Sequence, residues 1–168
     1  LIHGEAIAEM PKGKVPQLLA SFEREARVTA SLSSPYTVRL FDYGVSRDGV
    51  FFFVMELLDG LDLQSLVEHW GPQPVGRVVH LLKQICSSLA EAHDKKLVHL
   101  DIKPANVFLC RQGDEADVVK VLDFGLARIH EAPREGEEPD RDEMIAGTPA
   151  YMAPERGMGR PDVDGRAD

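Results

Sequence analysis

The sequence predicts a chain of mixed α and β structure, on three observations. A long apolar stripe at helical spacing runs through residues 75–95, two apolar runs flank Ser46-Arg47-Asp48-Gly49, and three short strand-like pieces follow the stripe. In chain order, residues 18–32 alternate apolar and charged positions at helical spacing (Leu18, Leu19, Phe22, Ala26), with Pro35 just beyond the end. Residues 38–44 and 50–57 read as the two strands of a hairpin, because Asp-Gly between apolar runs favours a tight turn. A short helix follows Gly60 and runs to about Trp70, where Gly71-Pro72-Gln73-Pro74 breaks it. The long helix over 75–95 puts Val78, Leu82, Ile85, Leu89 and Ala92 on one side, the expected buried face. Residues 97–100, 107–110 and 118–122 are the strand-like pieces, with 111–117 as a polar turn. Over 132–142 the composition shifts to Pro, Gly, Glu and Asp, the signature of a solvated loop.

Composition narrows the function classes. With 43% hydrophobic residues the 168-residue chain has material for a real core. The net charge of −9 argues against a basic footprint for nucleic acid or anionic lipid. No apolar run reaches the ~18 residues a spanning helix needs, so no membrane contact is expected from this segment. Cys86 and Cys110 have no metal-ligand or CxxC spacing and are expected to be buried free thiols in a reducing compartment. The opening Leu1-Ile2-His3-Gly4-Glu5 has neither a signal-peptide layout nor an initiator Met, which predicts a fragment facing the cytoplasm, with membrane tethering through other parts of its parent left open.

Three segments in fixed order carry the chemistry. They are His99-Leu100-Asp101-Ile102-Lys103-Pro104-Ala105-Asn106, Asp123-Phe124-Gly125, and Gly147-Thr148-Pro149-Ala150-Tyr151-Met152-Ala153-Pro154-Glu155. Together they resemble the catalytic loop, metal-binding turn and substrate platform of a eukaryotic-like, bacterial Hanks-type serine/threonine protein kinase. The resemblance implies an α+β, two-lobed protein-kinase fold truncated at both ends. Residues 1–57 would be the remainder of a small β-rich lobe, and 58–168 the first part of a large, mainly helical lobe. It also implies ATP and Mg²⁺ as cofactors and a protein substrate bearing Ser or Thr.

The same resemblance assigns roles to residues. Asp101 corresponds to the aspartate that orients the substrate hydroxyl and accepts its proton. Lys103, two residues on, can share its face of an extended loop and neutralise phosphoryl charge. Asn106 and Asp123 offer oxygens to Mg²⁺, a hard cation. Glu25 occupies the place of the helix glutamate that pairs with a strand lysine, with Glu23 as its competitor. Met55 would be the gatekeeper, and the Glu56 carbonyl and Leu58 backbone would meet the adenine edge. Asp62 would contact the ribose or simply cap a helix, and Phe108 would floor the adenine site. Thr148 would bond near Asp101 and Lys103, and Glu155 belongs to the platform. Lys103 two residues after Asp101, with Gly147-Thr148-Pro149 before that platform, resembles Ser/Thr rather than tyrosine kinases.

Two departures stand out. No Gly-rich phosphate loop and no Val-Ala-x-Lys strand precede Glu25. Either the lysine lies just before Leu1, or Ala8 fills its slot and the chain is a pseudokinase scaffold. Lys12 and Lys14 flank a glycine in a Pro-bounded stretch and do not resemble a strand lysine. A small-molecule phosphotransferase is a third reading, against which the Ala-Pro-Glu platform counts. Ala167-Asp168 resembles the start of the large lobe's central helix. The second departure is Leu100, where such kinases usually carry the Arg that gathers a phosphorylated loop. Residues 126–147 hold no Ser, Thr or Tyr but do hold Glu131, Glu135, Glu137, Glu138, Asp140, Asp142 and Glu143. Activity independent of phosphorylation in that stretch is the expectation.

Overall fold

The computed structural model describes residues 23, 26–27, 29–46, 51–124, 128–129, 148–160 and 163–168. Glu23, Ala26, Arg27, Thr29 and Ala30 are helical, as the spacing over 18–32 predicts, and Ala26 is buried. Leu18, Leu19, Phe22 and Glu25 lie outside the described residues, as do Ala8, Arg47 to Gly49 of the hairpin turn, Gly125 and the acidic stretch.

Strands β1 (Leu40–Val45) and β2 (Phe51–Met55) form the expected antiparallel hairpin, with Tyr43 opposite Phe53 and a register slip between Leu40 and Asp42. Next come β3 (Gly60–Asp62), α1 (Leu63–Trp70), α2 (Val75–Asp94), β4 (Leu97–Val98), β5 (Val107–Gln112) and β6 (Glu115–Val121). After these lie β7 (Arg128–Ile129) and the short α3 (Pro154–Gly157). Strands β3, β5 and β6 make one antiparallel sheet in that spatial order, and β4 pairs with β7. The polar turn expected over 111–117 is much shorter, because Gln112 pairs with Glu115 and the strands continue into the charged residues. Strand pairing there is a backbone matter, and one face of the hairpin end is free to be polar.

One close approach fixes the start of β3. A Cβ on Gly60 would lie 1.9 Å from the Leu109 carbonyl oxygen, so only glycine lets β3 reach β5 here.

The core joins Leu66 of α1, Leu81, Ile85, Leu89 and Ala92 of α2, and Val107, Leu109, Val119 and Val121 of the sheet. The face of α2 differs from the predicted one. Val78 and Leu82 are exposed, while Gln84 and Ser88 are buried beside Leu81. Hydrophobicity misjudged that face because the two polar residues are fully bonded. Gln84 Oε1 accepts from the Val119 amide at 3.0 Å and its Nε2 donates to the Asp117 carbonyl at 2.9 Å. Ser88 and Thr37 share a hydroxyl–hydroxyl bond of 2.6 Å. Buried polar groups are tolerated on exactly such terms, with each donor and acceptor met. Cys110 is buried as expected but Cys86 is exposed on α2, correcting the sequence reading for that thiol.

Two of the ties that hold the segment before β1 to the rest involve β6 and α2. The Val38 amide donates to Val121 O at 3.0 Å and the Val121 amide to Tyr36 O at 2.8 Å, so 36–38 continues the β6 edge as a parallel bridge. The second tie is Glu91 of α2. Its carboxylate accepts from the Ser33 amide (2.9 Å), the Ser33 hydroxyl (2.8 Å), the Ser34 amide (2.7 Å) and Lys95 Nζ (2.9 Å). Partial burial alone would raise its pKa. The bonds from Lys95, Ser33 and Ser34 outweigh that and hold it at about 2.

Glu91→Gln is expected to cost ~1–2 kcal/mol at pH 7 in urea denaturation. The folded-state pKa is lowered, so the carboxylate's contribution is complete above the ordinary carboxylate range and fades as pH falls toward 2. The gap between wild type and variant should therefore narrow from about pH 5 downward; a gap independent of pH would contradict this account.

Candidate active site

The residues between β4 and β5 run in an extended loop ending in a 3₁₀ turn, Pro104–Asn106, with Lys103 at φ −154° and ψ 161°. The extended backbone puts Asp101 and Lys103 on one side, and Lys103 Nζ lies 2.7 Å from Asp101 Oδ2. Thr148 closes the group. Its amide and hydroxyl donate to Asp101 Oδ1 at 3.1 and 3.0 Å, and its Oγ1 accepts from Lys103 Nζ at 2.8 Å. Asn106, nearly buried, donates from Nδ2 to the Asp101 carbonyl (2.9 Å) and to Asp101 Oδ2 (3.1 Å). Partial burial would raise the Asp101 pKa. Hydrogen bonds from Lys103 and Thr148, with the Lys103 charge, overcome this and hold it below its ordinary value. The carboxylate is thus ionised throughout the neutral range.

Asp123 follows β6 with φ 52°, a left-handed conformation uncommon for non-glycine residues, and its side chain is exposed. The Leu122 amide donates to the Asn106 carbonyl at 2.9 Å, which seats Asp123 beside the 3₁₀ turn. Because the Asn106 amide nitrogen is occupied by Asp101, its oxygen is left for another partner. An amide oxygen and an exposed carboxylate are hard donors of the kind Mg²⁺ takes when phosphate and water complete its shell. Three or more His, Cys, Asp or Glu side chains do not cluster as a metal site among the described residues. An amide oxygen and one carboxylate together fit a cation whose remaining ligands are phosphate and water.

The loop's backbone is held from behind. His99 is fully buried against Phe124, their ring centres 4.6 Å apart. Its Nε2 lies 2.7 Å from the Leu122 carbonyl, so that nitrogen carries the proton and Nδ1 accepts from the Asp101 amide at 3.3 Å. Burial lowers the His99 pKa, in keeping with this neutral tautomer. Asp168, its side chain fully buried, accepts from the His99 amide (2.8 Å), the Leu100 amide (2.7 Å) and His93 Nε2 (2.9 Å). Leu100 itself has φ 69°, and its carbonyl accepts from the buried Arg156 guanidinium.

Sequence and fold both match known proteins. The protein kinase domain family matches residues 6–165. The chain belongs to that family. It is 37% identical over 150 residues to the serine/threonine-protein kinase pkn3 of Myxococcus xanthus, covering 89% of this chain and 27% of that protein. It is 40% identical over 153 residues to Pkn1 of the same organism, covering 91% and 21% respectively. The kinase domain of Mycobacterium tuberculosis PknI superposes with a TM-score of 0.67 at 29% identity, over 95% of this chain and 56% of that one. The chain thus spans about a quarter of the curated relatives it matches. The α+β kinase fold expected from the motifs is the fold observed.

The other candidate residues are placed as follows. Met55 ends β2 and is 40% exposed. The Glu56 amide donates to Arg39 O at 3.0 Å, while the Glu56 carbonyl and Leu58 amide have no backbone partner among the described residues. Asp62 caps α1, both carboxylate oxygens taken up by the Ser65 amide and hydroxyl at 2.8 and 2.7 Å. The Ser65 bonds lower its pKa. Asp62 thus serves as the N-cap of α1. Phe108 is half-buried on β5 between Asp62 and Lys120 in register. Glu155 is half-buried in the first turn of α3. Glu25 lies outside the described residues.

Sequence reasoning gave no role to Asp168, Arg156 or Lys120. Asp168 left the clearest trace, since the Ala-Asp ending was matched to a helix start, but nothing in the pattern says its carboxylate turns onto His99 and Leu100.

Asp168→Ala leaves two buried amides without an acceptor and should cost ~2–4 kcal/mol. Thermal unfolding of Asp168→Ala against Asp168→Asn measures it, the asparagine retaining one acceptor oxygen and a smaller loss.

Proposed function

We propose that the full-length polypeptide containing this chain is an ATP- and Mg²⁺-dependent serine/threonine protein kinase, with residues 1–57 in its small lobe and 58–168 in its large lobe. The single observation that carries the reading is the Asp101–Lys103–Thr148–Asn106 network beside Asp123. A substrate Ser or Thr hydroxyl oxygen attacks the γ-phosphorus, the bond to the ADP oxygen breaks, and the hydroxyl proton passes to the Asp101 carboxylate. Lys103 supplies positive charge where the transferred group gathers negative charge. Thr148 holds the Asp101 and Lys103 side chains in mutual orientation. Bound Mg²⁺, held by Asn106 and Asp123, would neutralise the phosphate oxygens. Glu56 and Leu58 would offer backbone groups to adenine, Met55 would stand at the back of that site and Phe108 beneath it. Glu25 would pair with a strand lysine, and Glu155 would brace the platform.

The joint presence of Asp101, Asn106 and Asp123 favours turnover over a scaffold role. No helix among the described residues is long and apolar enough to cross a membrane, and a need for ATP favours a cytoplasmic setting for this part. With Leu100 in place of the usual Arg, activity is proposed not to depend on phosphorylation within 126–147.

Asp101→Asn in the full-length polypeptide should lower kcat for protein phosphorylation at least about a hundredfold, with KM for ATP little changed. Transfer of labelled phosphate to a Ser/Thr protein substrate reads this, and an unaffected rate would defeat the assignment. Mass spectrometry of the active enzyme should find no phosphate in 126–147 on which turnover depends.

A further inference from the structure

Among the described residues, Lys120 is a buried lysine that the mechanism above does not use. Only 7% of its side chain is exposed, at the next-to-last position of β6, and its Nζ lies 2.8 Å from Glu56 Oε1. A charged ammonium in such a place is expensive unless paired. The pairing it has is informative. The same Glu56 oxygen accepts from the Arg39 amide at 2.7 Å, and the Glu56 amide donates back to Arg39 O at 3.0 Å. Glu56 is therefore clamped at both its side chain and its backbone, while Leu57 beside it is 99% exposed. Lys120 is opposite Phe108 in the β5–β6 register and three residues before Asp123.

We propose that Lys120 is a positioning residue for nucleotide binding, acting through Glu56. The ion pair fixes the Glu56 peptide, so that its carbonyl and the following Leu58 amide, which lack backbone partners among the described residues, face adenine in a set orientation. Without the pair, residues 56–58 would be an extended linker bonded to Arg39 alone and free to rotate its peptides. Because β6 leads directly to Asp123, the pair also joins the adenine end of the site to its metal end. The inference rests on the kinase reading, and on Glu56 lying at the adenine edge.

Steady-state kinetics of the full-length polypeptide test it. Lys120→Met, close in volume and uncharged, should raise KM for ATP about five- to tenfold, the scale of one lost hydrogen bond. Its kcat should stay within about twofold, because Asp101 and Lys103 are untouched. The inhibition constant of adenosine, which has no phosphate, should rise by the same factor. Lys120→Arg should restore both. Glu56→Gln should act as Lys120→Met does, and the double variant should be no worse than either single one. The inference is overturned if an active wild type gives a Lys120→Met enzyme with unchanged KM for ATP. It is equally overturned if KM rises while adenosine inhibition does not move, since the hinge peptide would then not be what Lys120 orients. Should Lys120→Met fail to fold, the Glu56→Gln enzyme decides by the same two constants. A wild-type polypeptide that neither transfers phosphate nor binds nucleotide removes the kinase reading itself, a result distinct from the others.

Discussion

The arrangement around Asp101 depends on how the backbone just before it is held. Leu100 adopts φ 69°, a conformation that costs an L-residue on the order of 1 kcal/mol and persists only when its surroundings impose it. Here they do so from both sides. The buried Asp168 carboxylate takes the His99 and Leu100 amides, and Arg156 donates to the Leu100 carbonyl. His99, locked in one tautomer between Leu122 and Asp101, fills the space beneath. The strained residue turns the chain so that Asp101 points toward Lys103, Thr148 and Asn106 rather than into the core.

That arrangement links segments far apart in sequence through a few charge-assisted bonds. Asp168 and Arg156 come from the C-terminal part, His99 and Asp101 from the centre, and Leu122 from the end of β6. Charged hydrogen bonds in partly buried sites are stronger and more directional than neutral ones, and an unmet partner is costly. Precision at Asp101 is thus supplied by groups that sit behind the loop. The Glu91 clasp and the Lys120–Glu56 pair repeat the device nearer the N-terminal part. Glu91 collects the Ser33 and Ser34 amides with the Lys95 ammonium, and Glu56 the Arg39 amide with the Lys120 ammonium, so each fixes main chain as well as a side chain.

Similarity over residues 6–165 establishes the family and its fold. It says nothing about which tautomer His99 adopts or where the Asn106 amide points, and those details determine what Asp101 can do. Leu100 shows the difference well. Its side chain departs from the usual Arg, yet its backbone is held at both ends, so the loop's shape does not require that Arg.

Much was legible in the residues themselves. The hairpin, α1, α2 and the β5–β6 pair follow from periodicity and breakers, because local spacing decides which side chains can share a face. Asp101, Lys103, Asn106 and Asp123 were legible because their chemistry sits in short contiguous motifs. What only the tertiary structure decided is the identity of partners distant in sequence. Gln84 and Ser88 are buried because Val119, Asp117 and Thr37 meet their polar atoms, which no hydropathy pattern can announce. Asp62 spends both oxygens on Ser65, and Glu56 turns to Lys120, choices that depend on which donor arrives within reach. Sequence thus determined the elements and the candidate site groups, whereas three-dimensional proximity determined their bonding, since a hydrogen bond is a matter of distance and angle that sequence separation does not encode.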